Sequence, residues 1–267
     1  MGRGAHALKK GTRLDLVLVE RGLAVTRERA RALILAGQVR VNGQPSGKAG
    51  AVVTPDATIT LDEPDHPFVG RGGIKLVHAL DAFGISPAGR TALDIGASTG
   101  GFTDALLQRG AALVVALDVG HGQLDWKLRT DPRVIVLERI NARTLTADQL
   151  PEAARRFGLV TVDVSFISLR QILPVIPPLL DGGGDVIALV KPQFEAGRSE
   201  VLKGGIVRDD AVRRRVLDEV VARADALGLV RAGTTDSPIA GVEGNREMLL
   251  HLRRAPVTRS SAQASER

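Results

Sequence analysis

Thr91-Ala92-Leu93-Asp94-Ile95-Gly96-Ala97-Ser98-Thr99-Gly100-Gly101-Phe102-Thr103 is the stretch that decides the fold. An apolar run (Ala92, Leu93, Ile95) meets an acid, Asp94, and then a glycine-rich turn. The helical pattern of Phe102, Ala105, Leu106 and Leu107 follows. Strand, tight turn and helix in that order put free backbone N–H groups and a positive helix end at the mouth of a parallel sheet. Such a turn holds a nucleotide-like ligand, and its spacing decides which kind. A nicotinamide fingerprint needs G-x-G-x-x-G, but the glycines here stand at 96, 100 and 101. A phosphate-gripping P-loop needs a lysine where this chain has Phe102. Gly96 to Gly100 also spells the G-x-S-x-G nucleophile elbow. A hydrolase would then need a late loop histidine, and His251 sits inside the strand-like Leu249-Leu250-His251-Leu252.

What remains, D-x-G-x-x-x-G-G, resembles motif I of S-adenosylmethionine-dependent methyltransferases. That cofactor carries no phosphate, so no lysine is needed. Close backbone approach and nearby carboxylates suit its amino-acid and sulfonium groups. A second acid supports the reading. Leu113 to Asp118 is a buried-type strand ending in a carboxylate, 17 residues after Gly101. An acid there can take both ribose hydroxyls of a nucleoside. The expected cofactor-binding set is Asp94, Gly96, Ala97, Ser98, Thr99, Gly100, Gly101, Phe102, Asp118, Val119, Asn141 and Asp163. Asn141 is included because an amide can read the adenine edge. His121 and Trp126 are candidates for walls of the adenine pocket, with simple packing as the alternative.

At 267 residues the chain can hold one large and one small domain. No apolar run approaches the roughly 20 residues that cross a membrane, and no apolar segment follows the charged Met1 to Lys10. Zero cysteines exclude disulfides and thiolate metal sites, and the five histidines show no metal-ligand spacing. No metal is expected, no obligate protein partner is evident, and the expected compartment is the cytoplasm. The net charge of +6 points to a polyanionic partner.

Arg13 to Glu63 reads as a separate module. Leu14, Val17 and Leu18 give one helical stripe; Thr26 caps a second helix with Ala30, Leu33 and Ile34 on its apolar face, and Gly37 closes it. Val39-Arg40-Val41 runs into the hairpin turn Asn42-Gly43, and Ala57 to Leu61 gives a further strand. Arg27 and Arg31 share a helix face, with Arg29 nearby, and could hold RNA phosphates. The wording R-G-L-A-x-x-R-x-x-A-x-x-L-I-x-x-G-x-V-x-V-N-G resembles the S-four-type RNA-binding domain of a ribosomal small-subunit protein and of pseudouridine synthases. Arg13, Arg21, Arg27, Arg29, Arg31, Lys48 and Arg71 form the expected RNA-contacting set.

Beyond Asp62-Glu63-Pro64-Asp65-His66-Pro67, strands alternate with helices: Leu113 to Asp118, Val134 to Leu137, Leu159 to Val164, Val186 to Val190, a charged helix over Asp209 to Leu227, then Leu229 to Ala232 and Met248 to Leu252. This predicts an α/β fold: a doubly wound, Rossmann-like sheet preceded by a small α+β domain. The expected division is residues 1–62 (core about 12–62), a linker over 63–69, the methyltransferase domain over 70–255 and a disordered tail over 256–267.

Asp163 closes V-T-V-D and Lys191 closes V-I-A-L-V-K-P, each a charge at an apolar strand tip on the ligand edge. A ribose hydroxyl is a poor nucleophile, and a positioned lysine can serve as its base. The pattern resembles the lysine-aspartate-lysine-glutamate tetrad of FtsJ-type ribose 2′-O-methyltransferases, which implies Lys75, Asp163, Lys191 and Glu247 as the catalytic set. From about Arg13 to Arg254 the chain resembles the TlyA (hemolysin A) family. The resemblance rests on F-V-G-R-G-G-I-K-L, D-I-G-A-S-T-G-G-F-T, A-L-D-V-G-H-G-Q-L, D-V-S-F-I-S-L and L-V-K-P-Q-F-E. It implies methylation of cytidine 2′-hydroxyls in 23S rRNA, in some members also 16S rRNA, and a link to capreomycin and viomycin sensitivity. The family's usual serine before R-G-G is Gly70 here, a change expected to leave catalysis intact. Glu195 is expected to orient a loop, and Phe166 and Phe194 to stack on the nucleoside or fill core. Two other classes compete: a membrane-lytic protein, for which no spanning or strongly amphipathic segment is found, and a non-catalytic assembly factor, which would not need the complete tetrad.

Overall fold

The computed structural model describes residues 11–24, 26–62, 66–241 and 244–254. The first ten residues, positions 63–65 of the linker and the expected tail lie outside them.

The N-terminal module packs the helices Leu14–Glu20 and Arg27–Leu35 on two small sheets. Thr26 caps the second helix by accepting from Arg29 N at 3.1 Å, which satisfies one of its free amides. Val39–Val41 pairs with Gln44–Pro45 and Ile59–Leu61, and the hairpin turns through Asn42 and Gly43 at φ +51° and +78°. Leu14, Leu18, Ala30, Ile34 and Val39 form its own buried core.

The larger domain is one seven-stranded sheet. Its strands are β1 (Thr91–Ile95), β2 (Leu113–Asp118), β3 (Val134–Glu138), β4 (Phe157–Val162), β5 (Leu180–Val190), β6 (Leu229–Asp236) and β7 (Met248–Arg254). The spatial order is β6-β7-β5-β4-β1-β2-β3. β1 to β5 run parallel, and β7 lies antiparallel between β5 and β6. Successive side chains leave opposite faces of each strand. Leu93, Ile95, Val115 and Leu117 therefore enter one core with Val220 and Ala224 of the helix Asp210–Asp225. Ala92, Val114 and Ala116 enter the other, under the helices Gly72–Phe83 and Gly101–Gln108. Strand order reverses around β1, so the crevice lies at its carboxyl end. Several elements outrun the sequence reading: β5 begins at Leu180 rather than Val186, and β6 extends to Asp236. β4 ends at Val162, so Asp163 and Val164 leave the sheet at the crevice. Among the described residues no helix is long and apolar enough to cross a membrane.

Candidate active site

Two glycine contacts shape the crevice. Gly96 has φ +88°, and a Cβ there would lie 2.5 Å from the Asp163 carbonyl oxygen. Only glycine lets the turn after β1 pass over the exit of β4. A Cβ on Gly101 would lie 3.0 Å from Gly73 N and 3.1 Å from Gly70 O, so the start of Gly101–Gln108 presses on the start of Gly72–Phe83. That approach carries Lys75, in the first turns of its helix, to the crevice. Gly70 has its own reason to lack a side chain: a Cβ would meet Thr99 Oγ1 at 2.7 Å.

The sheet register supplies the rest. Lys191 follows β5 and Glu247 precedes β7, and the antiparallel pair Val190↔Met248 sets these flanking residues side by side. Lys75 Nζ donates to Glu247 Oε2 at 2.5 Å, with only 11% and 3% of the two side chains exposed. Lys191 Nζ donates to Ser165 Oγ at 2.9 Å and lies 2.6 Å from Asp163 Oδ1. At that distance the ammonium and the carboxylate form a close ion pair. Burial pushes the Asp163 carboxyl up, but the charges of Lys191 and Lys75 outweigh it and hold the group below the usual range.

All four residues of the expected catalytic set thus line one crevice, together with Gly96, Ala97, Ser98, Thr99, Gly101 and Phe102 of the turn. Five of the expected cofactor residues do not line it. Gly100, at φ +99°, turns away against Leu128. Asp118 stands at the tip of β2 and accepts from Ser98 N at 2.8 Å and Gly120 N at 2.7 Å, tying the strand end to the turn. Val119 is exposed. Asn141 caps the short turn Ala142–Thr144 by accepting from Arg143 N at 3.0 Å.

Asp94 lies wholly buried beneath the turn, accepting from Thr103 Oγ1 at 2.7 Å and Thr161 Oγ1 at 3.0 Å. Burial pushes its carboxyl up to about 7, against the pull of those two hydroxyls. A raised folded-state value means the folded chain binds the proton more tightly than the unfolded chain. Stability from this group is therefore full below the ordinary carboxylate range and is lost as pH rises through about 7. Asp94→Asn removes that loss, so its melting temperature relative to the parent should be higher at pH 8 than at pH 5. A difference independent of pH would contradict the assignment.

The expected RNA-contacting arginines are more engaged than their spacing reveals. Arg13, Arg27 and Arg31 converge on the buried Asp15 carboxylate at 2.9, 2.9 and 3.1 Å, led by the hydrogen bonds of Arg13, and hold it well below the usual range. Their side chains stay 43, 40 and 46% exposed, so each guanidinium keeps outward donors. Arg29 instead crosses to the larger domain and pairs with Asp125 at 2.7 Å. Arg21 donates to the Pro55 and Ala57 carbonyls, and Lys48 sits in the turn closed by Ala51 N. Arg71 lines the crevice and donates to Ala240 O at 3.0 Å.

Sequence reasoning missed several crevice residues. Ser165 could have been found two positions after Asp163 in D-V-S-F. Leu35 and Ala36, from the N-terminal module, reach the crevice only through the tertiary fold. Glu195 accepts from Ser168 Oγ at 2.5 Å and Leu169 N at 2.6 Å, fixing the segment after Asp163. Phe166 is 90% exposed, with its ring 5.2 Å from that of Phe194. Trp126 is exposed, and His121 pairs with Glu138 at 2.7 Å; neither lines the crevice.

Comparison with known proteins places both parts. Residues 68–254 match the family model of FtsJ-like methyltransferases, and residues 12–59 match the S4 domain. The chain is 49% identical to the 16S/23S rRNA (cytidine-2′-O)-methyltransferase TlyA of Mycobacterium tuberculosis, over 92% of this chain and 91% of that protein. It is 42% identical to hemolysin A of Brachyspira hyodysenteriae, over 90% and 98%. A solved structure from Streptococcus thermophilus, described as a candidate hemolysin, superposes with a TM-score of 0.71 at 42% identity, covering 93% of this chain and 90% of that one. Glycine-turn crevice, paired lysines and carboxylates, S4 module and end-to-end similarity agree: the chain belongs to the TlyA family of FtsJ-like methyltransferases.

Proposed function

We propose that the protein transfers a methyl group from S-adenosylmethionine to the 2′-hydroxyl of cytidine in ribosomal RNA, acting in the cytoplasm on ribosomal subunits. The observation that carries this reading is the convergence of two lysine–carboxylate pairs, Lys75–Glu247 and Lys191–Asp163, on one glycine-walled crevice. The 23S substrate, with 16S as a second one, is favoured by the likeness to the M. tuberculosis enzyme.

The residues present suit the cofactor. The turn from Gly96 to Phe102 lines the crevice, and the Asp163 carboxylate, held below the usual range by Lys191 and Lys75, offers a negative group on the same crevice to a sulfonium. When bound, S-adenosylmethionine supplies an electrophilic methyl group on a sulfonium. Ala97, Ser98 and Thr99 would wall it, and Asp118 would take the ribose hydroxyls once its ties to the turn are shared. Lys191 Nζ, held by Ser165 Oγ beside Asp163, is the group placed to accept the 2′-hydroxyl proton in its neutral form, and the cofactor's sulfur would keep the electron pair of the carbon–sulfur bond it gives up. Lys75 and Glu247 position the ribose and hold the local charge balance. The exposed Phe166 ring beside Phe194 gives the base a stacking surface.

Asp118→Ala should weaken cofactor binding by about 1–3 kcal/mol in calorimetry, the cost of lost charge-assisted hydrogen bonds. Unchanged affinity would remove Asp118 from the pocket. The function itself is tested with purified protein, labelled S-adenosylmethionine, and 30S subunits, 50S subunits and naked rRNA as separate acceptors. Label should enter 23S rRNA. Absence of label from every RNA would overturn the reading.

A further inference from the structure

Behind Glu247 lies a second cleft, lined by Ile206, Val207, Arg208, Asp210, Arg213 and Arg246. It is tied to the crevice by hydrogen bonds. Asn245, 2% exposed, accepts from Val207 N at 3.0 Å and donates to Gly205 O at 2.7 Å. Those two bonds staple the loop carrying Arg208 to the chain just before Glu247. Arg246 and Glu247 are neighbours; Glu247 lines the crevice while Arg246 lines the cleft and is exposed.

The charges differ from those of the N-terminal helix. Arg13, Arg27, Arg29 and Arg31 all have carboxylate partners. Arg213 is likewise paired, with Asp210. Arg208 and Arg246 make no hydrogen bond or ion pair among the described residues, and both are exposed. Two unpartnered guanidiniums on a wall whose backbone is pinned present forked donors suited to phosphate oxygens.

We propose that this cleft is a phosphate subsite for the RNA strand that carries the target ribose, with Arg208 and Arg246 as its ligands. It rests on the reading that the crevice methylates RNA, and it adds a second grip on the methyltransferase domain, separate from the N-terminal module. A strand held there stays in register with Glu247 through Asn245. The contacts position the backbone and carry no base information.

The test is the full-length double variant Arg208→Ala/Arg246→Ala, compared with Arg208→Lys/Arg246→Lys, on the ribosomal subunit that the parent methylates. The alanine pair should raise KM for the subunit at least about tenfold with kcat nearly kept, and lower the salt slope of binding by about 1–2, since each lost phosphate contact removes about 0.7–0.9. Cofactor affinity, read by calorimetry without RNA, should not change. The lysine pair should retain most of the salt slope, because it keeps the charges. If the alanine pair melts earlier than the parent, the lysine pair decides: a retained slope supports the subsite and a lost slope overturns it. An alanine pair with parental KM and slope also overturns it. Failure of the parent itself to methylate any RNA would instead strike the functional reading.

Discussion

Lys191→Ala should cut turnover by about 10²–10⁴-fold, the usual span for a positioned acid–base group. Cofactor affinity and fold should be nearly untouched. The reason is local. Lys191 Nζ meets Ser165 Oγ, the Asp163 carboxylate and, at 6.0 Å, the Phe194 ring, and its removal leaves a carboxylate that also faces Lys75. Lys191→Arg should not restore activity, because a guanidinium stays protonated and cannot take the hydroxyl proton. Single-turnover rates with saturating cofactor check this directly. A fully active alanine variant would remove Lys191 from the chemical step.

The second large effect concerns the other pair. Lys75→Met should destabilise the protein by about 3–5 kcal/mol and abolish methylation, since breaking a buried pair leaves its partner as an uncompensated charge. Glu247 is 3% exposed, so water cannot take over from the lysine. The double variant Lys75→Met/Glu247→Leu should regain most of the lost stability, because replacing both partners with apolar groups is close to neutral. It should remain inactive. Urea unfolding with parallel activity assays separates the two roles. A Lys75→Met protein as stable as the parent would show that the pair is not closed in solution. An active double variant would show that the pair is dispensable for chemistry.

These effects fall on residues of unequal legibility. Lys191 stands out because a run of apolar residues delivers it to a strand tip. Glu247 came from resemblance: its place beside Lys191 depends on β7 running antiparallel to β5 in one register, which no local pattern encodes. Asp94 shows the opposite case. Its motif position suggested a ligand, whereas strand alternation points it inward to Thr103 and Thr161. The arginine helix was legible as a face, but the carboxylate beneath it was not. Asp15 belongs to the preceding helix and reaches Arg27 and Arg31 only when the two helices pack. Arg29 and Asp125 lie 96 residues apart, a contact that helical spacing cannot reveal. Arg208 and Arg246 stand in loops without periodicity, and the Asn245 bonds join those two loops across the fold.

The proposed reaction activates a ribose hydroxyl rather than a base nitrogen or carbon. Nuclease digestion of rRNA methylated by the purified protein, followed by mass spectrometry of the nucleosides, reads the acceptor atom directly. 2′-O-methylcytidine should be present with the parent and lost with Lys191→Ala. Methyl groups found on the base, with unmodified ribose, would contradict it.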